Sequence, residues 1–273
     1  MKIKQKAVFF GVGAMGGALL EGWIASKMMA PSSVTAIDVD IEKCKKFAKR
    51  FKINAGGDPS KVLKDAGIIL LAVKPQQMKE LLNTLGPSFP AKALVVSVAA
   101  GVSTSQIEKR LPQGCPVVRV MPNTPALLGA GMAAVAGGSR AKAPQVKLVL
   151  SLFAAVGKSV QVTDEQMDMV TAVSGSGPAY IFHMIEAMVE AGIKGGLSPE
   201  TSHLLVSQTV FGAARMVLDS GKTPAELRVL VTSPGGTTQA ALEVMAEKGF
   251  KETIHQAIEA AARRGGDLRK GND

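Results

Sequence analysis

The stretch of this sequence with the clearest chemical potential is a glycine turn flanked by hydroxyl side chains, Val231-Thr-Ser-Pro-Gly-Gly-Thr-Thr-Gln-Ala-Ala-Leu242. Pro234 lacks an amide hydrogen, and Gly235 and Gly236 are poor helix formers, so we expect a helix to begin only at Thr237. The first amides of a helix have no partner within the helix and lie at the positive end of its dipole. We therefore predict a carboxylate- or phosphate-sized anion site here.

The side chains of this turn strengthen the prediction. Ser233, Thr237 and Thr238 add three hydroxyls, and Gly236 lets a ligand approach the backbone closely. The same pattern is also typical of an ordinary Ser/Thr cap with a glycine turn. The rest of the chain has to decide between these two interpretations.

A second glycine-rich turn lies near the start of the chain. Residues 7–10 are predicted to form a buried strand, and a helical pattern follows the glycines as far as Met28. A strand, Gly-x-Gly-x-x-Gly and a helix in this order predict a dinucleotide site. The first glycine makes the tight turn, the second lets the backbone approach a pyrophosphate, and the third allows close helix packing. The predicted contacts of this loop are Gly11, Val12, Gly13, Ala14, Met15 and Gly16.

Asp38 follows the next predicted strand, at the distance where an acidic residue meets the adenosine ribose. A carboxylate there accepts hydrogen bonds from ribose hydroxyls and repels a 2′-phosphate, so it favours NADH over NADPH. Three lysines nearby keep NADPH open as the cofactor: Lys43, Lys45 and Lys46. The plainer interpretation of both motifs is a glycine packing turn followed by a helix cap at Asp38 or Asp40.

Strand and helix patterns alternate through residues 1–163 and predict a Rossmann-type, doubly wound parallel sheet. After residues 34–37, the predicted strands are 68–73, 94–98, 117–120, 132–136 and 159–162, the last two as edge strands. The predicted helices are 61–64, 76–85, 103 or 104 to 111, and 143–156. The segment Met121-Pro-Asn-Thr-Pro125 is expected to break its strand.

Ligands bind beyond the carboxyl ends of the strands in such a sheet. We predict further cofactor contacts in two of the loops there: Ala72, Val73, Lys74 and Pro75, and Ala99, Ala100 and Gly101. Asn123 lies between two prolines, so we expect it to present a rigid amide to nicotinamide or substrate. A plain connection explains each of these loops taken alone.

The chain becomes helical after residue 163, with no flexible linker at the boundary. We predict a helical substrate-binding and dimerisation domain over residues 164–273, with apolar residues on more than one helix face. Its predicted helices are 164–171, 179–193, 199–218, a short one from 223, 237–248 and 254–264. Between the first two, Ser174-Gly-Ser-Gly-Pro178 is expected to interrupt the helix and to expose amides and hydroxyls, with Ser176 as a substrate contact. If this turn faces residues 233–238, the two would frame one small pocket.

Composition narrows the class of protein. The formal charge is +10, but no run of consecutive basic residues is longer than a pair and aromatic residues make up 4%, so we expect no nucleic-acid partner. Cys44 and Cys115 lack metal-ligand or redox spacing, which fits a reducing cytoplasm. His183, Glu186 and Glu190 share one helix face but have no evident fourth ligand, so we predict no metal.

No apolar run is long enough to span a membrane, and glycines interrupt the apolar start of the chain. We therefore expect a cytoplasmic protein.

Over nearly its whole length the sequence resembles the pyrroline-5-carboxylate reductases. The resemblance rests on residues 11–16, Ala72-Val-Lys-Pro75, Ser97-Val-Ala-Ala-Gly101, Met121-Pro-Asn-Thr-Pro125, Ala172-Val-Ser-Gly-Ser-Gly-Pro-Ala-Tyr180 and residues 227–242, of which the last two are specific. It implies an N-terminal Rossmann domain and a helical C-terminal domain that intertwines in a homodimer, often assembled into a decamer.

The resemblance also implies a reaction, the last step of proline biosynthesis. A hydride passes from C4 of the nicotinamide of NAD(P)H to C5 of the cyclic imine 1-pyrroline-5-carboxylate, giving L-proline. The substrate carboxylate is expected on the amides around Gly236, Thr237 and Thr238, with Ser233 assisting. The Thr238 hydroxyl is expected near the ring nitrogen. Because a hydroxyl is a weak acid, we expect the substrate to arrive partly as the iminium and catalysis to rest mainly on positioning.

Two departures from the family pattern bear on these expectations. Members commonly carry Asn-Arg or Ser-Arg where this chain has Asp38-Val39, which puts a preference for NADPH in doubt. Many carry a charged or amide residue where this chain has Val229-Leu230.

Two alternative functions remain. One is a related β-hydroxyacid dehydrogenase, but residues 178–193 lack the lysine that this class needs, and Ile181 stands about where it would be. A non-catalytic dinucleotide sensor is the other, and the presence of Ser233 and Thr238 argues against it.

Overall fold

The computed structural model describes residues 3–271. In these residues, one eight-stranded sheet has the order β3-β2-β1-β4-β5-β6-β7-β8. Its strands are β1 (Lys6–Phe10), β2 (Val34–Ile37), β3 (Asn54–Ala55), β4 (Ala66–Leu71), β5 (Leu94–Ser97), β6 (Val117–Pro122), β7 (Gly131–Gly137) and β8 (Gly157–Gln161). Neighbouring strands are parallel except for β6 and β7.

The described residues form twelve α-helices, several of which begin at a proline or a side-chain cap. They are α1 (Ala14–Ala25), α2 (Ile41–Phe51), α3 (Pro59–Leu63), α4 (Pro75–Leu85), α5 (Thr104–Glu108), α6 (Ala143–Ala154), α7 (Met167–Val170), α8 (Gly177–Lys194), α9 (Pro199–Asp219), α10 (Pro224–Leu230), α11 (Thr237–Glu247) and α12 (Phe250–Gly271). Ser103 caps α5 and Thr223 caps α10, each through a capping box. The predicted class, a Rossmann-type sheet followed by a helical region, is confirmed.

The sheet is buried on both faces, as its all-apolar strands predict. Alternate residues point to opposite sides, so Phe9 and Leu70 join one apolar cluster while Phe10 and Leu71 join the other. The first cluster contains Trp23, which makes edge contacts with Phe9 and Phe153. This double burial fixes the strands whose carboxyl ends carry the predicted cofactor loops.

The prediction of a purely parallel sheet is wrong at one place, because β7 pairs antiparallel with β6. A parallel neighbour needs a long crossover, whereas residues 123–130 contain only the short 3-10 helix Thr124–Leu128. β8 then pairs parallel to β7 and forms the edge, so β7 is not the edge strand we expected.

Several other segments also differ from the predictions. β6 continues through Met121 and Pro122, because beyond Arg119 it pairs only with β7 and the missing proline amide costs no bond to β5. The expected break at residues 174–178 is a single π-helical turn, Thr171–Gly175, followed at once by α8. The last helix is longer than predicted, and the sequence prediction omitted α2 and β3.

The chain divides into two compact units. The described part of the first comprises residues 3–176 and 260–271, and the second comprises residues 177–259. The end of α12 therefore packs with the sheet unit, where the Arg269 guanidinium contacts the Asp168 carboxylate at 3.0 Å. The predicted domain limits, 1–163 and 164–273, stay predictions.

The second unit buries few of its apolar side chains within itself. Ser202, Val206 and Leu227 are its buried residues, and the Ser202 hydroxyl joins α9 to α8 by donating to the Val189 carbonyl at 2.8 Å. Large apolar side chains on α8, α9 and α10 are exposed, among them Phe182, Leu204, Phe211, Leu218 and Leu230. None of the helices described within residues 3–271 is long and apolar enough to cross a membrane.

Candidate active site

The glycine-rich loop after β1 has the geometry that its three glycines predict. Gly11 has φ +93, and a Cβ there would lie 2.6 Å from the Ala72 carbonyl oxygen. A Cβ on Gly16 would collide with the Gly11 carbonyl, so α1 packs against the loop only because Gly16 has no side chain. Gly13 is different, since a Cβ there would meet nothing within 4 Å. The open side of the loop is therefore at Gly13.

Free amides open α1 at the same place. The first amide that bonds within the helix is that of Gly17, which donates to the Gly13 carbonyl at 2.8 Å. Among the described residues, no hydrogen bond occupies the amides of residues 13–16, and the first turn of α1 has no acidic side chain. Four free amides at the positive end of a helix suit a pyrophosphate.

Asp38 lies beside this loop at the end of β2. Its Oδ2 accepts a hydrogen bond from the Val12 amide at 2.8 Å, and its Oδ1 accepts one from the Asp40 amide at 3.0 Å. The helix cap that we weighed for this segment is made by Asp40, whose carboxylate accepts the Lys43 amide at 3.0 Å. Asp38 therefore has a different role from its neighbour and faces the glycine-rich loop.

A cavity of about 600 Å³ joins these groups at the carboxyl ends of β1, β2 and β4. Of the predicted cofactor residues it contains Gly11, Gly13, Asp38, Ala72, Val73 and Lys74. Val12 and Ala14 line an adjoining cavity of about 410 Å³ that also contains Gly13. The remaining predicted residues, Met15, Gly16, Pro75, Ala99, Ala100 and Gly101, line neither cavity.

One wall of this cavity consists of residues that we did not predict from the sequence. Gln77, Glu80, Leu81 and Thr84 of α4 line it, together with Val39 and Pro59. The four α4 residues are spaced i, i+3, i+4 and i+7, which is one helix face. That spacing after Lys74-Pro75 is the signal that could have identified them.

The cavity, the open backbone at Gly13 and the free amides fit a dinucleotide with its pyrophosphate on α1. Lys74 and Lys43 add positive charge to the cavity wall. Cys44 is buried next to Asp38, and its pKa is raised, first by burial and then by the Asp38 charge. Burial likewise raises the pKa of Cys115 to about 11, so both cysteines are inert thiols rather than nucleophiles.

The predicted anion turn lies in the second unit, at the start of α11. Gly235 has φ +69, and its amide donates to the Gln239 side chain at 2.8 Å. The Gly236 amide donates to the Ser233 carbonyl at 3.0 Å, so it is engaged in this conformation, and its expected contact with the substrate stays a prediction. Among the described residues, the amides of residues 237–239 have no hydrogen-bond partner.

The glycine at 236 serves the turn in another way. A Cβ there would lie 2.5 Å from the Ser233 hydroxyl oxygen, so the glycine leaves room for that hydroxyl beside the helix start. No side chain caps α11, which the ordinary-cap interpretation required. The hydroxyls of Ser233, Thr237 and Thr238 therefore remain next to free amides rather than satisfying them.

Asn123 differs from its prediction. Its Nδ2 donates to the Ser174 carbonyl at 3.2 Å and to the Ser174 hydroxyl at 3.4 Å, while its Oδ1 accepts the Met132 amide at 2.8 Å. The side chain is thus committed to the protein and does not present a free amide. Ser176 lies in the same turn, where its amide donates to the Thr171 carbonyl at 2.8 Å.

The second glycine-serine turn and the anion turn belong to different compact units, so the idea that they frame one pocket stays a prediction. His183 contacts Glu186 at 3.3 Å on the exposed face of α8. Residues 3–271 contain no group of three or more His, Cys, Asp or Glu side chains placed to hold a metal ion.

Sheet order, glycine-loop geometry and the cavity at the switch in strand order define a Rossmann-type, nicotinamide-dinucleotide-dependent oxidoreductase. Two family profiles match the chain, "NADP oxidoreductase coenzyme F420-dependent" over residues 6–101 and "Pyrroline-5-carboxylate reductase dimerisation" over residues 164–268. The chain is 42% identical to the pyrroline-5-carboxylate reductase of Pseudomonas aeruginosa over 96% of both chains. It is 38% identical to that of Methanosarcina acetivorans over 97% of this chain and 98% of the relative.

The chain belongs to the pyrroline-5-carboxylate reductase family. It reduces the cyclic imine 1-pyrroline-5-carboxylate to L-proline with NAD(P)H, the last step of proline biosynthesis.

Solved structures of pyrroline-5-carboxylate reductases support the same family assignment. The pyrroline-5-carboxylate reductase of Coxiella burnetii superposes with a TM-score of 0.90 at 36% identity, covering 97% of this chain and 99% of that one. A Plasmodium falciparum pyrroline carboxylate reductase with NADP bound gives a TM-score of 0.88 at 30% identity, covering 98% and 100%. A prephenate dehydrogenase from Aquifex aeolicus, at 15% identity and a TM-score of 0.55, shares the fold alone.

Proposed function

We propose that the reductase binds its substrate carboxylate at the start of α11, on the amides of residues 237–239, with the Ser233 hydroxyl as a further donor. The observation that carries this proposal is the set of free amides next to a glycine turn without a side-chain cap. A carboxylate is stabilised at such a site by hydrogen bonds and by the helix dipole together. Separately, we propose Ser176 as a polar contact of the substrate, on the evidence of its hydroxyl in the Ser174–Ser176 turn of the first unit.

Thr238 holds the ring nitrogen in this proposal. Its hydroxyl lies one residue from the first free amide of α11, so a substrate whose carboxylate occupies the amides has its ring within reach. The bound nicotinamide supplies the hydride that C5 of the imine accepts. Thr238 orients the C=N bond and relays a proton to the nitrogen, and the amides fix the approach of C5. Because the hydroxyl is a weak acid, orientation contributes more than proton transfer.

We further propose that the chain prefers NADH. The Asp38 carboxylate lies in the wall of the cofactor cavity and is held there by the Val12 amide, where a 2′-phosphate would meet like charge. Val39, the next residue, has no positive charge to offset it. Lys43 lines the same cavity and is the group that could accept a 2′-phosphate. Lys45 is paired with Glu42 at 2.7 Å.

The assembly we propose is a homo-oligomer with the dimer as its unit, and a decamer is the larger state to test. Support comes from the apolar side chains that the second unit leaves exposed: Leu204 is 68% exposed, Leu218 is 76% exposed and Phe211 is 57% exposed. An apolar surface of this kind is typical of a subunit interface. Light scattering during gel filtration measures the mass, and a monomer at micromolar concentration would refute the proposal.

We place the enzyme in the cytoplasm because Cys44 and Cys115 are both free.

One experiment tests the reaction and the cofactor preference together. The absorbance of reduced cofactor is followed with 1-pyrroline-5-carboxylate, with NADH and NADPH in parallel. We expect imine-dependent oxidation, with a higher kcat/KM for NADH. A higher value for NADPH would refute the role of Asp38, and no oxidation of either cofactor by folded protein would refute the reductase.

A further inference from the structure

The backbone carbonyl of Ser174 has lost the partner that a regular helix would give it. In an α-helix this carbonyl accepts the amide four residues later. That residue is Pro178, which has no amide hydrogen and whose ring crowds the same carbonyl. A half-buried carbonyl is only partly reached by water, so a donor supplied from elsewhere in the chain stabilises it.

The protein solves this with a wider turn and a donor from the sheet. The π-helical turn Thr171–Gly175 moves the carbonyl off the α-helical path, and it closes with the bond from the Ser176 amide to the Thr171 carbonyl. Asn123 Nδ2 then donates to the Ser174 carbonyl at 3.2 Å and also reaches its hydroxyl. One side chain thus replaces the amide that Pro178 lacks.

The other end of Asn123 is anchored in the sheet. Its Oδ1 accepts the Met132 amide at the start of β7, at 2.8 Å, so the side chain is held from both sides. Gly175 of the same turn packs against the Met121 side chain, two residues before Asn123. The carboxyl end of β6 therefore fixes both the position and the conformation of the Ser174–Ser176 turn.

We propose that Asn123 is a positioning residue for imine reduction, which sets the Ser174–Ser176 turn by supplying the hydrogen bond that Pro178 denies to Ser174. This rests on the proposed function, in which Ser176 contacts the substrate. Asn123 does not touch the cofactor or the substrate in this role. The direct contact that we expected from the sequence is the competing explanation.

The first test compares Asn123→Asp with the wild type. The carboxylate keeps an acceptor for the Met132 amide and is the same size, but it cannot donate to Ser174. We expect kcat/KM for the imine to fall about tenfold or more, because a small displacement of a positioning group is costly. The dissociation constant of the cofactor should stay within about twofold. Asn83→Asp is the matched control, since Asn83 accepts from Arg110 through an oxygen that aspartate retains.

The second test restores the missing amide. In Pro178→Ala the Ser174 carbonyl regains a donor within its own helix. The fold loss in kcat/KM for the imine that Asn123→Ala causes should therefore be at least about fivefold smaller in that background than in the wild type. The same comparison is made with the dissociation constant of L-proline, which needs no turnover. If Asn123→Ala does not fold, Asn123→Asp is used in both backgrounds.

The outcomes separate the explanations. An equal loss in both backgrounds would overturn the positioning role and favour direct contact. Unchanged imine kinetics in Asn123→Asp, or a loss confined to cofactor affinity, would overturn it as well. If the wild type reduces the imine and Ser176→Ala has the same kcat/KM, the proposed contact between Ser176 and the substrate is refuted, whatever the role of Asn123. A wild type without imine reduction would refute the proposed function before any variant is compared.

Discussion

The Asp38 carboxylate accepts the Val12 amide at 2.8 Å and so ties the end of β2 to the middle of the glycine-rich loop. Its second oxygen accepts the Asp40 amide, one residue before α2 begins. One side chain therefore orders the loop that receives the pyrophosphate and also places a negative charge in the cofactor cavity. These two roles can be separated, because an amide side chain accepts hydrogen bonds without the charge.

We expect Asp38→Asn to shift the enzyme towards NADPH. The single asparagine oxygen can still accept the Val12 amide, the Asp40 amide loses its acceptor, and the repulsion of a 2′-phosphate is gone. The ratio of kcat/KM for NADPH to that for NADH should rise about tenfold, which corresponds to about 1.4 kcal/mol. Steady-state kinetics with both cofactors measures it. Glu200→Gln is the control, since Glu200 is an exposed carboxylate that does not line the cofactor cavity, and an equal rise there would assign the effect to net charge.

A pair of alanine variants should separate cofactor binding from folding. Gly13→Ala meets open space and an ordinary φ of −65, so the fold should tolerate it while the added methyl obstructs the pyrophosphate. We expect the dissociation constant of the cofactor to rise about tenfold with little change in Tm. Gly16→Ala collides with backbone and should lower the free energy of unfolding by about 1–3 kcal/mol. Calorimetric titration and thermal unfolding measure the two effects, and equal loss of stability in both variants would contradict this assignment.

The sequence predicted the glycine loop well because its context of strand, fingerprint and helix is local. Gly11, Gly13 and Gly16 each have the role that their position indicates. Predictions failed where a distant group supplies a partner. Nothing near Asn123 in the sequence shows that its amide is taken by Ser174 and Met132, about 50 and 9 residues away.

The other differences have causes of their own. Gly236 lost its predicted free amide to the carbonyl of Ser233, a turn bond that composition alone does not specify. The direction of β7 depends on the short path of residues 123–130, which the strand pattern does not reveal. The α4 wall of the cavity was missed although its helical spacing was present in the sequence.

Thr238→Ala should lower kcat for imine reduction about ten- to a hundredfold without changing the dissociation constant of NADH. In the proposed mechanism the hydroxyl orients the ring nitrogen and relays a proton, whereas the amide of residue 238 remains to hold the carboxylate. Thr238→Ser keeps the hydroxyl and should stay within about threefold of the wild type. Steady-state kinetics over a range of imine concentrations measures both constants. Full turnover in the alanine variant would show that the hydroxyl has no role in the reaction.

Removal of the counterion of buried Arg119 should destabilise the sheet unit far more than removal of an exposed carboxylate does. Arg119 is 1% exposed, and its guanidinium contacts Asp164 at 3.0 Å, while the other carboxylate oxygen accepts the amide and hydroxyl of Thr104. Asp164→Ala leaves a buried guanidinium without its counterion, so we expect the free energy of unfolding to fall by about 3–5 kcal/mol.

The matched control is the ion pair of Lys6 with Asp65, at 2.8 Å but with both side chains more than half exposed. Asp65→Ala should cost less than about 1 kcal/mol, since water solvates the lysine that remains. Urea unfolding of the two variants under one buffer condition gives both values. A larger loss in Asp164→Ala measures the stranded guanidinium together with the two lost Thr104 hydrogen bonds, and equal losses would show that Arg119 finds another partner when Asp164 is removed.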